Sequence, residues 1–330
     1  MEGKNMTGVY IHCPLLSEAD YRTVLETLCP ATVRNATVYL HAQTLRPKQL
    51  ERLMEVQKNF GMDRPIRFRN ILQLQSPPTV TRSVRRVLSK NSISVHLQTT
   101  PAALPRVKRT VQALTKHSIS CKLWVDTDGQ VEAYECFRRA GLPLNLTRPR
   151  YDSTTADRFS AWLYDPTAQG INTFCDIIAM LTLETHSPNC RYASCLGTTF
   201  RVDEQLQVYL CPRHMDSRTH LGALNTPNEL LQCNTVMRLL TQAIDKRSRC
   251  AESCQSFAHC QGGCLLEGLS DDECRHYAAT VARIRQQLLE VYRSGRLDRV
   301  NPTVKNAILN ALAFGTAFFD PPVSPANQKA

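Results

Sequence analysis

Residues 9–54 read VYIHCPLLSEADYRTVLETLCPATVRNATVYLHAQTLRPKQLERLM, and this stretch decides the fold class. Val9–His12 and Thr37–His41 are short apolar runs of strand length. Between them Ala19–Leu28 has amphipathic helical spacing, introduced by Ser17-Glu18 as a helix start. A second helical pattern, Pro47–Asn59, follows. The alternation continues with strands at Pro65–Leu72, Ser92–Gln98, Ile119–Asp126 and Leu142–Thr147. The intervening helices fall at Thr79–Lys90, Pro101–His117, with Pro101 as its first residue, and Gly129–Ala140. Repeats of this length predict parallel β/α units with right-handed crossovers and helices outside. Six strands are too few to close an eight-stranded barrel. The expected fold is therefore α/β, a partial (β/α)6 TIM-like barrel over residues 1–150, with active groups on the loops after its strands.

Beyond the alternation the pattern changes. Residues 151–185 read as a connection punctuated by Pro166 and Gly170, with a helix near Asn172–Leu183. A cysteine-rich segment occupies 186–285, out of which a helix, Asp272–Ser294, leads. Residues 286–330 add a helix near Thr303–Phe314 and a proline-bearing tail, Pro321–Ala330, expected to be disordered.

Composition narrows the function classes. At 42% hydrophobic and 21% charged the 330-residue chain is an ordinary globular sequence. No run approaches the roughly 18 apolar residues of a membrane span, and the N-terminus lacks a signal-peptide pattern. A cytoplasmic protein without a membrane partner is expected. In that reducing setting, fourteen cysteines argue for metal or redox chemistry rather than disulfides. The net charge of +11 suits an acidic peptide or protein partner. Its basic residues are spread along helix faces, which reads as a solvated surface rather than a nucleic-acid site.

Cys13, Cys29, Cys121 and Cys136 stand far apart and read as small core residues. Eight others are spaced as ligands: Cys190-x4-Cys195-x15-Cys211, then Cys250-x3-Cys254-x5-Cys260-x3-Cys264-x9-Cys274. Short gaps let neighbouring thiolates meet at one centre, while long gaps let distant segments complete it. Eight ligands make two four-thiolate sites. Zinc and iron–sulfur clusters both suit such sites, and spacing alone leaves the choice open.

The segment Cys190–Cys274 resembles a SPASM domain, the C-terminal extension of radical SAM peptide and protein maturases. Phe200–Asp203 through Gln207–Cys211 is similar to its β-hairpin, and Leu221-Gly222-Ala223-Leu224 to the turn that follows. Cys260-Gln261-Gly262-Gly263-Cys264 is similar to its Cys-x-Gly-Gly-Cys ending. Two positions depart from the pattern. Leu206 replaces the hairpin glycine, and the first late pair is Cys-x3-Cys rather than Cys-x2-Cys. The resemblance implies two [4Fe-4S] clusters, one on Cys190, Cys195, Cys211 and Cys264. The other falls on Cys250, Cys254, Cys260 and Cys274. It leaves Cys175 and Cys233 as buried thiols.

The same resemblance exposes two gaps in the first half. Radical SAM enzymes carry Cys-x3-Cys-x2-Cys after the first strand, where a third cluster binds S-adenosylmethionine. Counting from Cys13 by that spacing lands on Ser17 and Asp20, which are poor ligands for soft iron–sulfur iron. The family's Gly-Gly-Glu-Pro is replaced by Leu40–Pro47, LHAQTLRP. The implied protein is a degenerate, pseudo radical SAM protein with a SPASM domain, with no catalytic residue and no S-adenosylmethionine chemistry. As a pseudoenzyme it would be an accessory, peptide-docking or electron-relay component of radical-SAM-dependent peptide modification. Its expected partners are an active radical SAM enzyme, a ribosomal peptide or a protein substrate. Two alternatives stay open: an active maturase with non-standard ligands, and a zinc-stabilised scaffold. His12, His41 and His96 fall in or at the ends of predicted strands and are read as structural, with a metal site that adds Asp20 as the rival.

Overall fold

The computed structural model describes residues 8–125, 130–147, 149–183, 198–224, 234–254, 257–260, 262–264, 266, 270–314 and 318. Two compact units emerge, Met1–Cys136 with Cys195–Lys246 and Phe137–Ser194 with Arg247–Ala330.

In the first unit strand and helix alternate: β1 (Gly8–Pro14), α1 (Glu18–Leu28), β2 (Asn35–Ala42), α2 (Pro47–Met62), β3 (Arg67–Leu74), α3 (Arg82–Lys90), β4 (Ser94–Thr99), α4 (Leu104–Thr115) and β5 (Cys121–Val125). α5 (Gln130–Ala140) follows, then the second unit's β6 (Asn145–Leu146), α6 (Thr155–Leu163) and α7 (Asn172–Thr182). The chain continues through β7 (Thr199–Val202), β8 (Gln207–Tyr209), β9 (His220–Ala223), α8 (Asn234–Ser253), α9 (Phe257–Cys260), α10 (Asp271–Arg293) and α11 (Pro302–Ala313).

Within the first unit the strands lie in the order β5-β4-β3-β2-β1-β7-β8-β9. β1 pairs in parallel with both β2 and β7, while β7, β8 and β9 form an antiparallel meander. Parallel strands covered by helices bury a continuous apolar face. Here Val9, Ile11, Cys13, Val38 and Leu40 are buried, as are Val24, Leu25, Leu50 and Leu53 of α1 and α2. A buried polar cluster enters this core: Gln57 Nε2 donates to Tyr21 Oη (2.8 Å) and Asn70 Oδ1 (2.9 Å), and Asn70 Nδ2 donates back to Gln57 Oε1. Buried amides so satisfied add little cost.

In the second unit the rings of Phe159, Trp162 and Phe174 pack at centroid distances of 5.3–5.8 Å. Asn301, buried ahead of Pro302, donates to the carbonyls of Asp165 and Ala168 and accepts from Thr303 N–H, starting α11. α10 begins with a reciprocal Ser270–Glu273 capping box.

The expected strands and helices largely recur, with shifted ends. Cys121 rather than Ile119 opens β5, because Ile119 N–H closes α4 on Leu114 O at 3.1 Å. The expected sixth strand contracts to Asn145–Leu146, after Gly141 in a left-handed conformation (φ 64°) and the donor-less Pro143. α6 and α8 occupy stretches where no helix is expected from the sequence. Asp126 and the Pro321–Ala330 tail lie outside the described residues. Among the described residues no helix is long and apolar enough to cross a membrane.

Candidate functional site

Alternate residues of a strand point to opposite faces. Since Val9, Ile11 and Cys13 face the helix-covered core, Tyr10 and His12 face the other side of the sheet. Register extends this second face across the strands. His12 lies opposite Tyr39 on β2 and Arg201 on β7, and Pro14 opposite His41. His41 then lies opposite Gln73, and Gln73 opposite His96, which neighbours Lys122 on β5. The three histidines thus share one face, as their strand positions suggested. His12 Nδ1 and His41 Nε2 are 3.1 Å apart and share a hydrogen bond. The His12 and Tyr39 rings stack at 4.2 Å, nearly parallel. His96 sits 6.2 Å from Tyr39 and 5.5 Å from Trp124.

Charge on this face is one-sided. Burial, then the fields of His41, Arg201 and Arg213, hold His12 well below its usual pKa. Burial and Arg201 bring His41 down to about 3. Burial, Lys122 and Arg69 bring His96 down to about 4. The imidazoles are therefore neutral at pH 7, able to donate and accept hydrogen bonds without adding charge. Among the described residues no three His, Cys, Asp or Glu side chains assemble a metal-ion site. Asp20, the further ligand considered from sequence, is engaged elsewhere.

That engagement is with Ser17. Ser17 Oγ accepts from Asp20 N–H at 3.2 Å and donates to Asp20 Oδ2 at 2.6 Å, so the two positions form the N-cap of α1. Cys13 is fully buried on the core side, and burial pushes its thiol up to about 12. Gln49 of α2 donates to the carbonyls of Leu15 and Leu16, bracing the loop from the second side. At the other sequence landmark, Arg46 precedes α2 and Pro47 begins it. Cys29 is buried too, with its thiol raised to about 12 by burial, and Cys121 and Cys136 are half-buried.

The cysteine segment is a different setting. Cys250 and Cys254 lie one helical turn apart at the end of α8, where Cys254 N–H donates to Cys250 O at 2.9 Å. Cys260 ends α9, and Gly262 (φ 86°) and Gly263 (φ 66°) turn the chain towards Cys264 in a conformation other residues rarely adopt. Cys254 and Cys264 are half-buried, Cys260 is buried and Cys274 is exposed in the first turn of α10. Thiolates are soft donors that suit iron–sulfur iron or zinc, but among the described residues no three of these cysteines are brought together as such a site. Cys190, Cys195 and Cys233 lie outside the described residues. Cys211, buried after β8, belongs to the first unit, and Cys175 is half-buried in α7.

The hairpin ahead of Cys211 has the expected form. Asp203 Oδ1 accepts from Gln205 and Gln207 N–H, and Asp203 Oδ2 accepts from Tyr209 Oη. Leu206, where the resemblance puts glycine, is left-handed at φ 58°. Sequence reasoning missed Arg201, Tyr39 and Trp124 as site residues. The alternation of Thr199-Phe200-Arg201-Val202 placed Arg201 opposite the buried Phe200 and Val202, a readable signal.

No protein-family model and no curated protein matches the chain. Solved structures do. His-tagged anSMEcpe with bound AdoMet, a radical SAM/SPASM anaerobic sulfatase-maturating enzyme, aligns at TM-score 0.67 and 15% identity over 87% of this chain and 99% of that one. Native anSMEcpe with bound AdoMet and the Kp18Cys peptide gives the same values. With the Cp18Cys peptide the TM-score is 0.64 at 15% identity, over 92% of this chain and 99% of that one. At this identity the likeness is one of fold, and the chain carries a mixed α/β architecture similar to that of a radical SAM enzyme.

Proposed function

We propose that the chain is a degenerate radical SAM protein of the SPASM type that docks a peptide or an active maturase and does not cleave S-adenosylmethionine. One observation carries this reading. The two positions that would complete a site-differentiating cluster beside Cys13 are joined as a helix cap, and Cys13 faces the core with its thiol raised to about 12. A thiol so buried is a poor source of thiolate for iron.

The cysteine-rich segment, read as residues 186–285, would hold two [4Fe-4S] clusters. Cys190, Cys195, Cys211 and Cys264 would serve one, and Cys250, Cys254, Cys260 and Cys274 the other. Such clusters supply one-electron transfer and cross-link the chain segments that ligate them. The chain's own part is to present thiolates from a helix end and a double-glycine turn, and to offer the basic sheet face to an acidic partner. The accessory reading is supported by the fold persisting where the first-strand ligands do not.

Anaerobic reconstitution followed by dithionite and S-adenosylmethionine tests the reading. No 5′-deoxyadenosine should form, and Cys13→Ala should leave the iron content unchanged. Reductive cleavage, or loss of about four irons in the Cys13 variant, overturns it. Stoichiometric zinc after anaerobic purification would replace the clusters with a zinc scaffold.

A further inference from the structure

The polar sheet face carries a buried guanidinium whose donors are not all met among the described residues. Arg201 projects onto it from β7, opposite His12, and its Nε is buried with no hydrogen-bond partner. A buried guanidinium N–H without an acceptor is unfavourable, and an acceptor supplied from outside would satisfy it. Among the described residues no ion pair involves Arg201, and the carboxylate whose field reaches it is Asp203. That carboxylate is committed to the hairpin, accepting two backbone N–H groups and Tyr209 Oη. Arg213 adds a second cation whose field is felt at His12. Farther along the face Trp124 Nε1 is likewise buried without a partner.

We propose that Arg201, His12 and His41 form a binding site for a compact oxyanion, a carboxylate or a phosphate group, on the open face of the sheet beside β1. The chemistry is that of a planar guanidinium fork, which matches two oxygens of one anion, flanked by a hydrogen-bonded imidazole pair. The mutual bond uses one of the pair's two N–H groups, and the ring that accepts it keeps an N–H to donate to the anion without the repulsion that three clustered cations would bring. Tyr39, stacked on His12, fixes the ring that faces Arg201. The site lies within the first unit and uses none of the ligand cysteines, so it stands whether or not the clusters form.

Titration of the full-length protein with inorganic phosphate, and separately with a short capped glutamate-containing peptide at matched ionic strength, tests this. The imidazole NMR signals of His12 and His41 should move along one saturable curve, while those of exposed His117 on the α4 side stay still. Phosphate alone, peptide alone or both producing that curve identifies the source of the oxyanion. Arg201→Gln should weaken binding at least about tenfold, and Arg201→Lys, which keeps the charge but loses the fork, by an intermediate amount. Neither titrant moving these signals at millimolar concentration overturns the site. So does full affinity in a folded Arg201→Gln protein. Should that variant fail to fold, unchanged affinity in Arg201→Lys together with equal movement of His117 is the overturning result.

Discussion

Two thiol-bearing regions answer the same question in opposite ways. At the end of β1, Cys13 is sealed against the helices, its thiol is raised to about 12, and Ser17 and Asp20 cap α1. Between Cys250 and Cys274 the thiols sit at a helix end, a double-glycine turn and an exposed first turn, close in sequence and mostly near solvent. The first region uses its residues to close a core. The second leaves all but Cys260 at least partly exposed. A cysteine's surroundings set how readily it yields a thiolate, and by that measure Cys13 is disfavoured by its burial.

The largest effect should come from breaking the second region. After anaerobic reconstitution we expect about eight irons per chain, two clusters of four. Cys264→Ala or Cys260→Ala should lose about half of them, seen by iron assay and by visible absorbance. Cys13→Ala, by contrast, should keep them all. Equal iron loss at Cys13 and Cys264 would erase the distinction between the regions.

Next in size is acid sensitivity of the histidines on the opposite face of the same sheet. His41 and His96 have folded pKa values of about 3 and 4, and His12 is also depressed, against about 6.5 in an unfolded chain. Below pH 6.5 the unfolded chain takes up protons that the folded one refuses, so stability falls as pH drops towards 4 and is level above about 7. Each histidine contributes a slope of up to about 1.4 kcal/mol per pH unit. Urea midpoints at pH 7, 6 and 5 should therefore decline, and less steeply in His96→Gln. A level profile from pH 7 to 5 would show that burial does not depress these rings.

Much of this contrast was legible in the sequence. The strand–helix alternation located β1 to β5 within a few residues, because buried parallel strands are apolar runs that polar helix faces interrupt. The substitution of Ser17 and Asp20 was readable too, but that the pair forms a cap needed the start of α1 in three dimensions. α8 was missed although Val236, Leu239 and Ala243 recur at helical spacing and are its buried residues. Its other face carries Met237, Leu240 and Ile244 in the open, which blurs the amphipathic pattern. The polar sheet face was hardest to read. His12, His41, Arg201 and Trp124 are far apart in sequence, and register alone brings them together.

A smaller effect tests the cap. Ser17→Ala removes the acceptor of Asp20 N–H and the hydroxyl that donates to Asp20 Oδ2. Loss of an N-cap costs about 1 kcal/mol. We expect a modest drop in the urea midpoint with iron content unchanged. Lost iron instead would make Ser17 a ligand and bring the first region closer to the second.

The smallest effect should lie in the hairpin that leads to Cys211. Leu206 is held at φ 58°, a conformation that costs an L-residue roughly 1–2 kcal/mol and glycine almost nothing. Its backbone is fixed by the hairpin: Leu206 N–H donates to Asp203 O, and Leu206 O accepts from Leu224 N–H at 2.9 Å. Leu206→Gly relieves the strain but gives up a half-buried side chain worth about 1 kcal/mol and adds unfolded-state freedom. These contributions oppose each other, so the net change should stay within about 1 kcal/mol. Leu25→Ala, in the closed core of α1, should cost about 2–5 kcal/mol. If Leu206→Gly proves as damaging as Leu25→Ala, the leucine is held by packing. The hairpin would then be a core element like β1, and not a glycine-type turn that tolerates a poor residue.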